Sequence, residues 1–185
     1  MKTVGVLALQ GDFDAHRRAL ERVGACAVEV RTAIEMDHCD GLVLPGGEST
    51  TMLKLLAEEN LFEPLRRFGR TRPIYGSCAG AILLARTVAH PAQKSLNLLD
   101  ISVERNAYGR QLESRIARIP TAEHGEIEAV FIRAPIIRRV GDEVGIIAMY
   151  QGDPVWAEQG PHMVTTFHPE LTSDPCVHRR FMEKL

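Results

Sequence analysis

Cys78 lies among small residues, in the run Gly-Ser-Cys-Ala-Gly at residues 76–80, directly after a short apolar run. Only small neighbours let the backbone turn sharply enough to lift a side chain clear of a strand end, so the run predicts a nucleophile elbow. Far downstream the chain reads Phe-His-Pro-Glu at residues 167–170. A thiol, an imidazole and a carboxylate can form a triad in which His168 takes the proton of Cys78 and Glu170 orients the imidazole.

A lone cysteine is more often a small buried hydrophobe, and His168 could be an ordinary surface residue. The glycines on both sides of Cys78, together with the His-x-Glu spacing, favour the catalytic interpretation. If extended geometry continues through Pro169, the two-residue period of a strand places His168 and Glu170 on the same side.

The first half of the chain alternates between strand-like and helix-like patterns. Apolar runs at residues 4–9, 25–30, 40–44 and 73–75 predict strands; Ser49 or Thr50 is expected to cap one helix, and another is expected to span residues 79–87. This alternation predicts an α/β fold with a mainly parallel, twisted sheet flanked by helices.

The second half has short strand-like runs separated by turns that contain glycine. We expect antiparallel additions to the sheet, with the last run returning to the core and a closing helix whose first position is Pro175. The chain of 185 residues is expected to be one domain, residues 1–185. The predicted strands are residues 103–104, 115–119, 127–132, 144–149, 154–157 and 163–167.

Glycine-rich segments follow the predicted strands, where ligands gather in open α/β sheets. Gln10-Gly11 follows the first strand and Gly46-Gly47 the third. Glycines there let backbone N–H groups point into a site as an oxyanion hole, although a Gly-Gly pair alone commonly marks only a turn. A phosphate-binding loop is excluded because the Gly-Lys-Ser/Thr signature is absent.

Composition limits the function classes. The net charge of −2 argues against a nucleic-acid surface, and no stretch approaches the roughly 20 apolar residues that span a membrane. The four cysteines are widely spaced, so neither a zinc site nor a disulfide framework is expected, and free thiols suggest the cytoplasm. Most histidines, among them His162 and His178, are expected at the surface, whereas His16 could approach the site.

Seven stretches, spread in order over nearly the whole chain, resemble the class-I, triad-type glutamine amidotransferases. The long Gly-Gly-Glu-Ser-Thr-Thr, Arg-Asn-x-Tyr-Gly-Arg-Gln and Phe-Ile-Arg-Ala-Pro runs are similar to the glutaminase subunits of the two-component pyridoxal 5'-phosphate synthase. The stretches are residues 7–11, 44–51, 76–80, 98–101, 105–111, 131–135 and 167–172.

The resemblance implies a flavodoxin-like α/β domain and a role for each matching residue. Cys78 would be the nucleophile, His168 the general base and acid, and Glu170 the orienting acid. The backbone N–H groups of Gly47 and Ala79 would form the oxyanion hole. The glutamine site would be lined by Gly46, Gly47, Glu48, Arg105, Ile132 and Arg133.

The implied activity is hydrolysis of L-glutamine to L-glutamate and ammonia, which a synthase subunit in a hetero-oligomeric complex would use to build pyridoxal 5'-phosphate. That compound would be the product of the pathway, so neither a cofactor nor a metal is expected on this chain. Two segments depart from the family pattern: Ala15-His16 replaces Glu-His, and Glu-Ser-Arg-Ile at residues 113–116 replaces Asp-Ser-Phe-Glu. Both lie outside the triad, so any effect is expected on docking of the partner.

Other functions remain open at this point. The chain could be a glutaminase that serves another synthase, a thiol hydrolase of the same architecture, or a non-catalytic regulatory subunit. Without the resemblance, Arg105 and Arg133 could equally form surface salt bridges.

Overall fold

The fold is given by a computed structural model, which describes residues 1–105 and 115–185. Its centre is a seven-stranded sheet in the order β10-β11-β12-β4-β3-β1-β2. The pairs β2–β1, β1–β3, β3–β4 and β4–β12 are parallel, whereas β12–β11 and β11–β10 are antiparallel. The mainly parallel sheet and its antiparallel extension confirm the predicted fold class. The strands of this sheet are β1 (Thr3–Leu7), β2 (Cys26–Val30), β3 (Gly41–Leu44), β4 (Ile74–Ser77), β10 (Gly145–Tyr150), β11 (Asp153–Gln159) and β12 (His162–Thr165).

Five further strands form two small sheets, which the sequence patterns do not separate from the main one. One sheet has the order β5-β6-β9 and the other pairs β7 with β8. Their bounds are β5 (Ala85–Ala89), β6 (Leu99–Glu104), β7 (Arg115–Pro120), β8 (Glu126–Phe131) and β9 (Ile136–Val140). The helix predicted over residues 79–87 is therefore too long, because the β-branched pair Thr87 and Val88 belongs to β5, which pairs with β6.

Six α-helices and one 3₁₀ helix (Pro169–Leu171) are present in the described residues. The helix bounds are α1 (Phe13–Arg22), α2 (Ala33–Asp37), α3 (Ser49–Glu58), α4 (Phe62–Gly69), α5 (Ala79–Leu84) and α6 (Cys176–Met182). None of these helices is long and apolar enough to cross a membrane.

Two helix starts differ from the prediction. Helix α3 is capped by Glu48, whose carboxylate accepts hydrogen bonds from the backbone N–H of Thr50 (3.5 Å) and from its hydroxyl (2.9 Å). Neither Ser49 nor Thr50 is the cap, because a carboxylate one position earlier already satisfies a free N–H group of the first turn. Helix α6 begins at Cys176, one residue later than predicted, with its first N–H bonded to Asp174 (2.9 Å).

The sheet has a hydrophobic core on each face. Val43 packs in the cluster that contains Tyr75, Phe167 and Phe181, whereas its neighbours Leu42 and Leu44 pack in the other, beside α3 and α4. Successive side chains of a strand point to opposite faces, so a strand buried on both faces must be apolar at every position. This explains the continuous apolar runs of β1, β3 and β4.

Helix α5 approaches strands β3 and β4 closely at two glycines. A Cβ atom on Gly76 would lie 2.5 Å from the backbone carbon and oxygen of Gly80, and one on Gly80 would overlap the carbonyl oxygen of Leu44. Backbone atoms cannot rotate away, so the tight turn between β4 and α5 requires glycine at both positions.

We expect Gly76→Ala to lower the free energy of unfolding by about 1 to 3 kcal/mol, because the added methyl group forces β4 and α5 apart. Gly145→Ala is the matched control in β10: its added Cβ would meet only one atom, the carbonyl oxygen of Glu158 at 3.9 Å. That variant should change stability by less than about 0.5 kcal/mol. Urea unfolding followed by circular dichroism measures both, and equal stabilities would contradict the close packing.

Candidate active site

Cys78 occupies a strained turn between β4 and α5. Its φ of 49° and ψ of −101° lie outside the regions that non-glycine residues ordinarily adopt. The Cys78 N–H donates to the carbonyl oxygen of Thr165 (2.8 Å), which ties the turn to the neighbouring strand β12. Such strain persists only where the surroundings enforce it, and it is concentrated at functional sites. The geometry is that of the predicted nucleophile elbow.

His168 and Glu170 follow β12 and contact each other. The distance from His168 Nδ1 to Glu170 Oε1 is 2.7 Å, with both residues buried. The contact arises differently from the prediction, because Pro169–Leu171 is a 3₁₀ helix and not a continuation of the strand. The helical turn folds the carboxylate back onto the imidazole. The His168 backbone N–H is fixed separately, by a bond to the carbonyl oxygen of Val130 (2.8 Å).

Electrostatics favour a charged imidazole beside a charged carboxylate. Burial pushes the pKa of His168 down, but hydrogen bonds and Coulomb attraction from Cys78 and Glu170 outweigh it and raise the pKa to about 10. Burial would also raise the pKa of Glu170, whereas His16 and His168 lower it to about 2. His168 therefore holds a proton at neutral pH that it can pass to a leaving group.

Two residues support Glu170 on its other oxygen. Glu170 Oε2 lies 3.2 Å from His16 Nε2 and 3.5 Å from the Ser77 hydroxyl, which donates to it. The prediction that His16 approaches the site is confirmed. Ser77 had no predicted role beyond its small size.

The surface assignment of His162 and His178 is wrong, because both are buried. His178 Nε2 lies 3.0 Å from His16 Nδ1, so this imidazole is part of the same cluster. A signal existed in the sequence, since His178 stands three residues before the buried Phe181 and so on the same face of α6.

A pocket beside His168 brings the predicted substrate residues together. Its cavity volume is about 150 Å³. Gly46 does not line the pocket but lies behind it, where a Cβ atom would overlap the His168 imidazole and approach Cys78 to 3.4 Å. The residues that line the pocket are Gly47, Glu48, Ser49, Ile82, Arg105, Ile132, Arg133, Pro135 and His168.

The pocket presents both signs of charge. Arg105 is buried, its Nη2 lies 3.4 Å from Glu48 Oε1, and its buried Nη1 has no hydrogen-bond partner among the described residues. Arg133 is exposed and has a φ of 45°, a strained conformation at the pocket wall. An unsatisfied buried guanidinium N–H is costly, which favours a ligand with a carboxylate there. The remainder of the predicted Arg-Asn-x-Tyr-Gly-Arg-Gln run, and residues 113 and 114, lie outside the described residues.

The glycine loop is held next to the first strand. The Glu48 N–H donates to the side-chain oxygen of Gln10 (3.1 Å), and Gly47 has a φ of 147° that a larger residue would adopt only under strain. In residues 1–105 and 115–185, no group of three or more His, Cys, Asp or Glu side chains could hold a metal ion.

Comparison with protein families gives a match to the SNO glutamine amidotransferase family over residues 6–185. The chain belongs to this family. It is 60% identical to the pyridoxal 5'-phosphate synthase subunit PdxT of Solibacter usitatus, over the full length of both chains. It is 54% identical to PdxT of Koribacter versatilis, over 97% of this chain and 94% of that protein.

Solved structures show the same fold. A crystal structure of a glutamine amidotransferase superposes with a TM-score of 0.92 at 44% identity, covering 98% of this chain and 97% of the other. A putative GMP synthase component from Thermoplasma acidophilum has a TM-score of 0.69 at 20% identity, covering 100% and 92% of the two chains. The second likeness concerns the fold alone. In this fold, the elbow, the 3₁₀ helix and the pocket lie together at the carboxyl ends of the parallel strands.

We expect the pKa of His168, followed by NMR of labelled imidazole, to fall from about 10 towards its ordinary value of about 6.5 in Cys78→Ala. Removing Cys78 takes away a hydrogen bond and a Coulomb attraction that raise the pKa, whereas burial continues to favour the neutral ring. Glu170→Gln should shift the pKa in the same direction. Cys26→Ala, at a half-buried thiol in β2, is the control and should leave the titration of His168 unchanged. The same titration curve in all three variants would contradict the pairing of His168 with Cys78 and Glu170.

Proposed function

We propose that this protein is a glutaminase that hydrolyses L-glutamine to L-glutamate and ammonia. Cys78 is the nucleophile, His168 the general base and acid, and Glu170 the residue that orients His168. The observation that carries the proposal is the strained Cys78, hydrogen-bonded to an imidazole that a buried carboxylate holds and that lines a pocket with both signs of charge. The whole chain, residues 1–185, acts as one glutaminase domain.

The first half of the reaction forms a thioester. The sulfur of Cys78 attacks the side-chain amide carbon of glutamine, and the carbonyl oxygen becomes an oxyanion that the N–H groups of Gly47 and Ala79 stabilise. His168 then gives its proton to the amide nitrogen, the C–N bond breaks and ammonia departs. Cys78 is left with a γ-glutamyl group.

The second half releases glutamate. A water molecule attacks the thioester carbon while His168, now neutral, accepts a proton from that water. The C–S bond breaks, glutamate leaves and the Cys78–His168 pair is restored. Glu170 remains ionised throughout, because its pKa lies near 2 and His168 never transfers the proton to it.

The charges of the pocket select a zwitterionic substrate. Arg105 and Arg133 hold the α-carboxylate of glutamine, and Glu48 holds the α-ammonium group. Ile132 packs against the aliphatic part of the side chain, and Gly46 leaves room for the substrate amide next to His168. Arg105 and Glu48 contact each other across the pocket. When glutamine binds, each of the two side chains replaces part of this contact with a contact to the substrate.

The ammonia passes to a synthase subunit that builds pyridoxal 5'-phosphate, and the two subunits form a hetero-oligomeric complex. The names of the similar proteins from Solibacter and Koribacter support this assignment. Pyridoxal 5'-phosphate is then the product of the complex, and this chain needs no cofactor of its own. The free thiols of its four cysteines suit a cytoplasmic location.

We expect Cys78→Ala to abolish ammonia release from glutamine in the presence of the synthase subunit, because no other group can form the thioester. His168→Asn should lower kcat by several orders of magnitude, and Glu170→Gln by less, since Glu170 acts only through His168. A coupled assay for ammonia and glutamate measures all three. Ammonia release near the wild-type rate by Cys78→Ala would rule out the mechanism.

Covalent labelling provides the control for the site. A glutamine-like diazo-ketone should modify Cys78 and spare the other thiols, because burial raises the pKa of both Cys39 and Cys176 to about 11 and keeps them protonated. Peptide mapping identifies the labelled residue. If the protein released no ammonia from glutamine but hydrolysed another amide or ester, the result would favour a thiol hydrolase. If it neither reacted nor was labelled, the result would favour a regulatory role without catalysis.

We expect Arg105→Ala and Arg133→Ala to raise KM for glutamine more than they lower kcat. The α-carboxylate is remote from the reacting amide, so its contacts contribute similarly to substrate and transition-state binding. Arg139→Ala is the matched control, because Arg139 pairs with Asp100 (2.9 Å) outside the pocket. An unchanged KM in both pocket variants would refute these contacts.

A further inference from the structure

Two buried imidazoles lie behind the carboxylate of the triad, and the mechanism above does not use them. His16 from α1 and His178 from α6 have exposed fractions of 0% and 1%. His178 Nε2 is 3.0 Å from His16 Nδ1, and His16 Nε2 is 3.2 Å from Glu170 Oε2. The polar groups therefore form one continuous row from His178 through His16 and Glu170 to His168.

The two rings are neutral at pH 7. Burial, together with the neighbouring His16, lowers the pKa of His178 to about 3. Burial likewise lowers the pKa of His16, against the attraction of Glu170. The other charged groups that act on the pair are His168 and Asp12, which act on His16, and Arg22, which acts on His178. Each ring thus carries a single N–H.

The positions of those hydrogens follow from the contacts. Ionised Glu170 can only accept, so the hydrogen of His16 belongs on Nε2, which faces the carboxylate. His16 Nδ1 then has a free lone pair and must accept from His178 Nε2, which carries the hydrogen of that ring. His178 Nδ1 is left unprotonated, and it has no hydrogen-bond partner in the described residues. Both ring hydrogens therefore lie on Nε2, the side of each ring that is nearer to Glu170 along the row.

The contact of His16 with Glu170 is a close approach of Nε2 to Oε2 and not a well-aligned hydrogen bond. The Ser77 hydroxyl is the other donor to this oxygen, at 3.5 Å, and it is also 3.3 Å from the carbonyl oxygen of Phe167. His16 is therefore the nearer partner that keeps Oε2 in place while Oε1 receives the hydrogen of His168.

Packing alone does not account for the pair. The rings do touch Tyr75 edge-on, with centroids 5.8 Å and 6.1 Å from those of His16 and His178. Apolar side chains could fill the same volume without the cost of burying two polar rings. Two imidazoles that contact each other at 3.0 Å, the nearer of them 3.2 Å from the Glu170 carboxylate, are placed like the outer-sphere partners that fix a histidine in one tautomer.

We propose that His16 and His178 are positioning residues that extend the triad: His178 fixes the tautomer of His16, and His16 holds Glu170 so that its other oxygen keeps the proton of His168 on Nδ1. This inference rests on the proposed glutaminase function. It predicts that the ability of His168 to hold its second proton depends on a residue that touches neither the substrate nor Cys78.

The first test measures tautomers and does not depend on activity. Nitrogen NMR of the wild-type chain with labelled histidine should show His16 and His178 neutral and protonated on Nε2 from pH 6 to 8. An imidazolium at either position, or a hydrogen on Nδ1 of His16, would overturn the inference. This result stands even if the protein released no ammonia from glutamine, an outcome that would refute only the proposed function.

The second test uses His16→Leu and His16→Gln in the complex with the synthase subunit. Leucine keeps the volume but removes the donor, so kcat should fall about 10- to 100-fold while KM stays within about twofold. The alkaline limb of the pH profile of kcat/KM should move to lower pH, because His168 loses its proton more easily beside a loosely held carboxylate. In His16→Gln, the new side-chain amide places an N–H near the position of Nε2. This variant should restore most of kcat and most of the wild-type position of the alkaline limb.

His162→Leu is the matched control. His162 is also a buried histidine of lowered pKa, and its Nδ1 accepts from the N–H of Ile74 (3.3 Å), but it does not contact Glu170. This variant should lose stability and keep the wild-type pH profile. A fall in kcat of His16→Leu without a shift of the alkaline limb, or the same shift in His162→Leu, would reduce His16 to a packing residue and overturn the inference.

Discussion

The site depends on the turn that puts Cys78 at positive φ. That backbone conformation is tolerated because Gly76 lets β4 meet α5 backbone to backbone and Gly80 lets α5 approach Leu44 of β3. The Cys78 N–H is bonded to Thr165, so the same turn also fixes the spacing between β4 and β12. Since the chain passes from β12 directly into the segment of His168, the turn places the thiol and the imidazole together in one step. The neighbouring positions of β4 and β12 in the sheet are thus a condition for the chemistry.

The second constraint is the burial of a carboxylate beside that turn. A buried charge needs partners, and the two buried carboxylates Glu158 and Glu170 have partners of different kinds. Glu158 is surrounded by Arg180 and Lys184, at 3.1 Å and 2.8 Å, which hold permanent charges. Glu170 is surrounded by imidazoles, whose protons can be placed and moved. Permanent cations would also stabilise Glu170, but they would compete with His168 for its oxygens and weaken its hold on the imidazole proton.

The sequence allowed the prediction of features that are local. The elbow follows from small residues on both sides of Cys78, and the parallel sheet from apolar runs that alternate with helix patterns. The contact between His168 and Glu170 was expected from an extended chain, but a 3₁₀ helix forms it. Either backbone geometry can bring these two residues together, so the spacing in the sequence does not distinguish between them. The spacing of His178 and Phe181 marks a buried face of α6, but the contact of His178 with His16 and the pairing of β5 with β6 depend on other segments, so no local pattern revealed them.

The two halves of the site have different structural origins, and this separates reaction from selectivity. The triad comes from the ends of β4 and β12 in the main sheet, where close packing leaves little room for change. Arg105 follows β6 and Arg133 follows β8, both strands of the small sheets, and the second has a strained φ of its own. In the proposed mechanism, substrate contacts can therefore change through the small sheets while the main sheet preserves the geometry of Cys78 and His168.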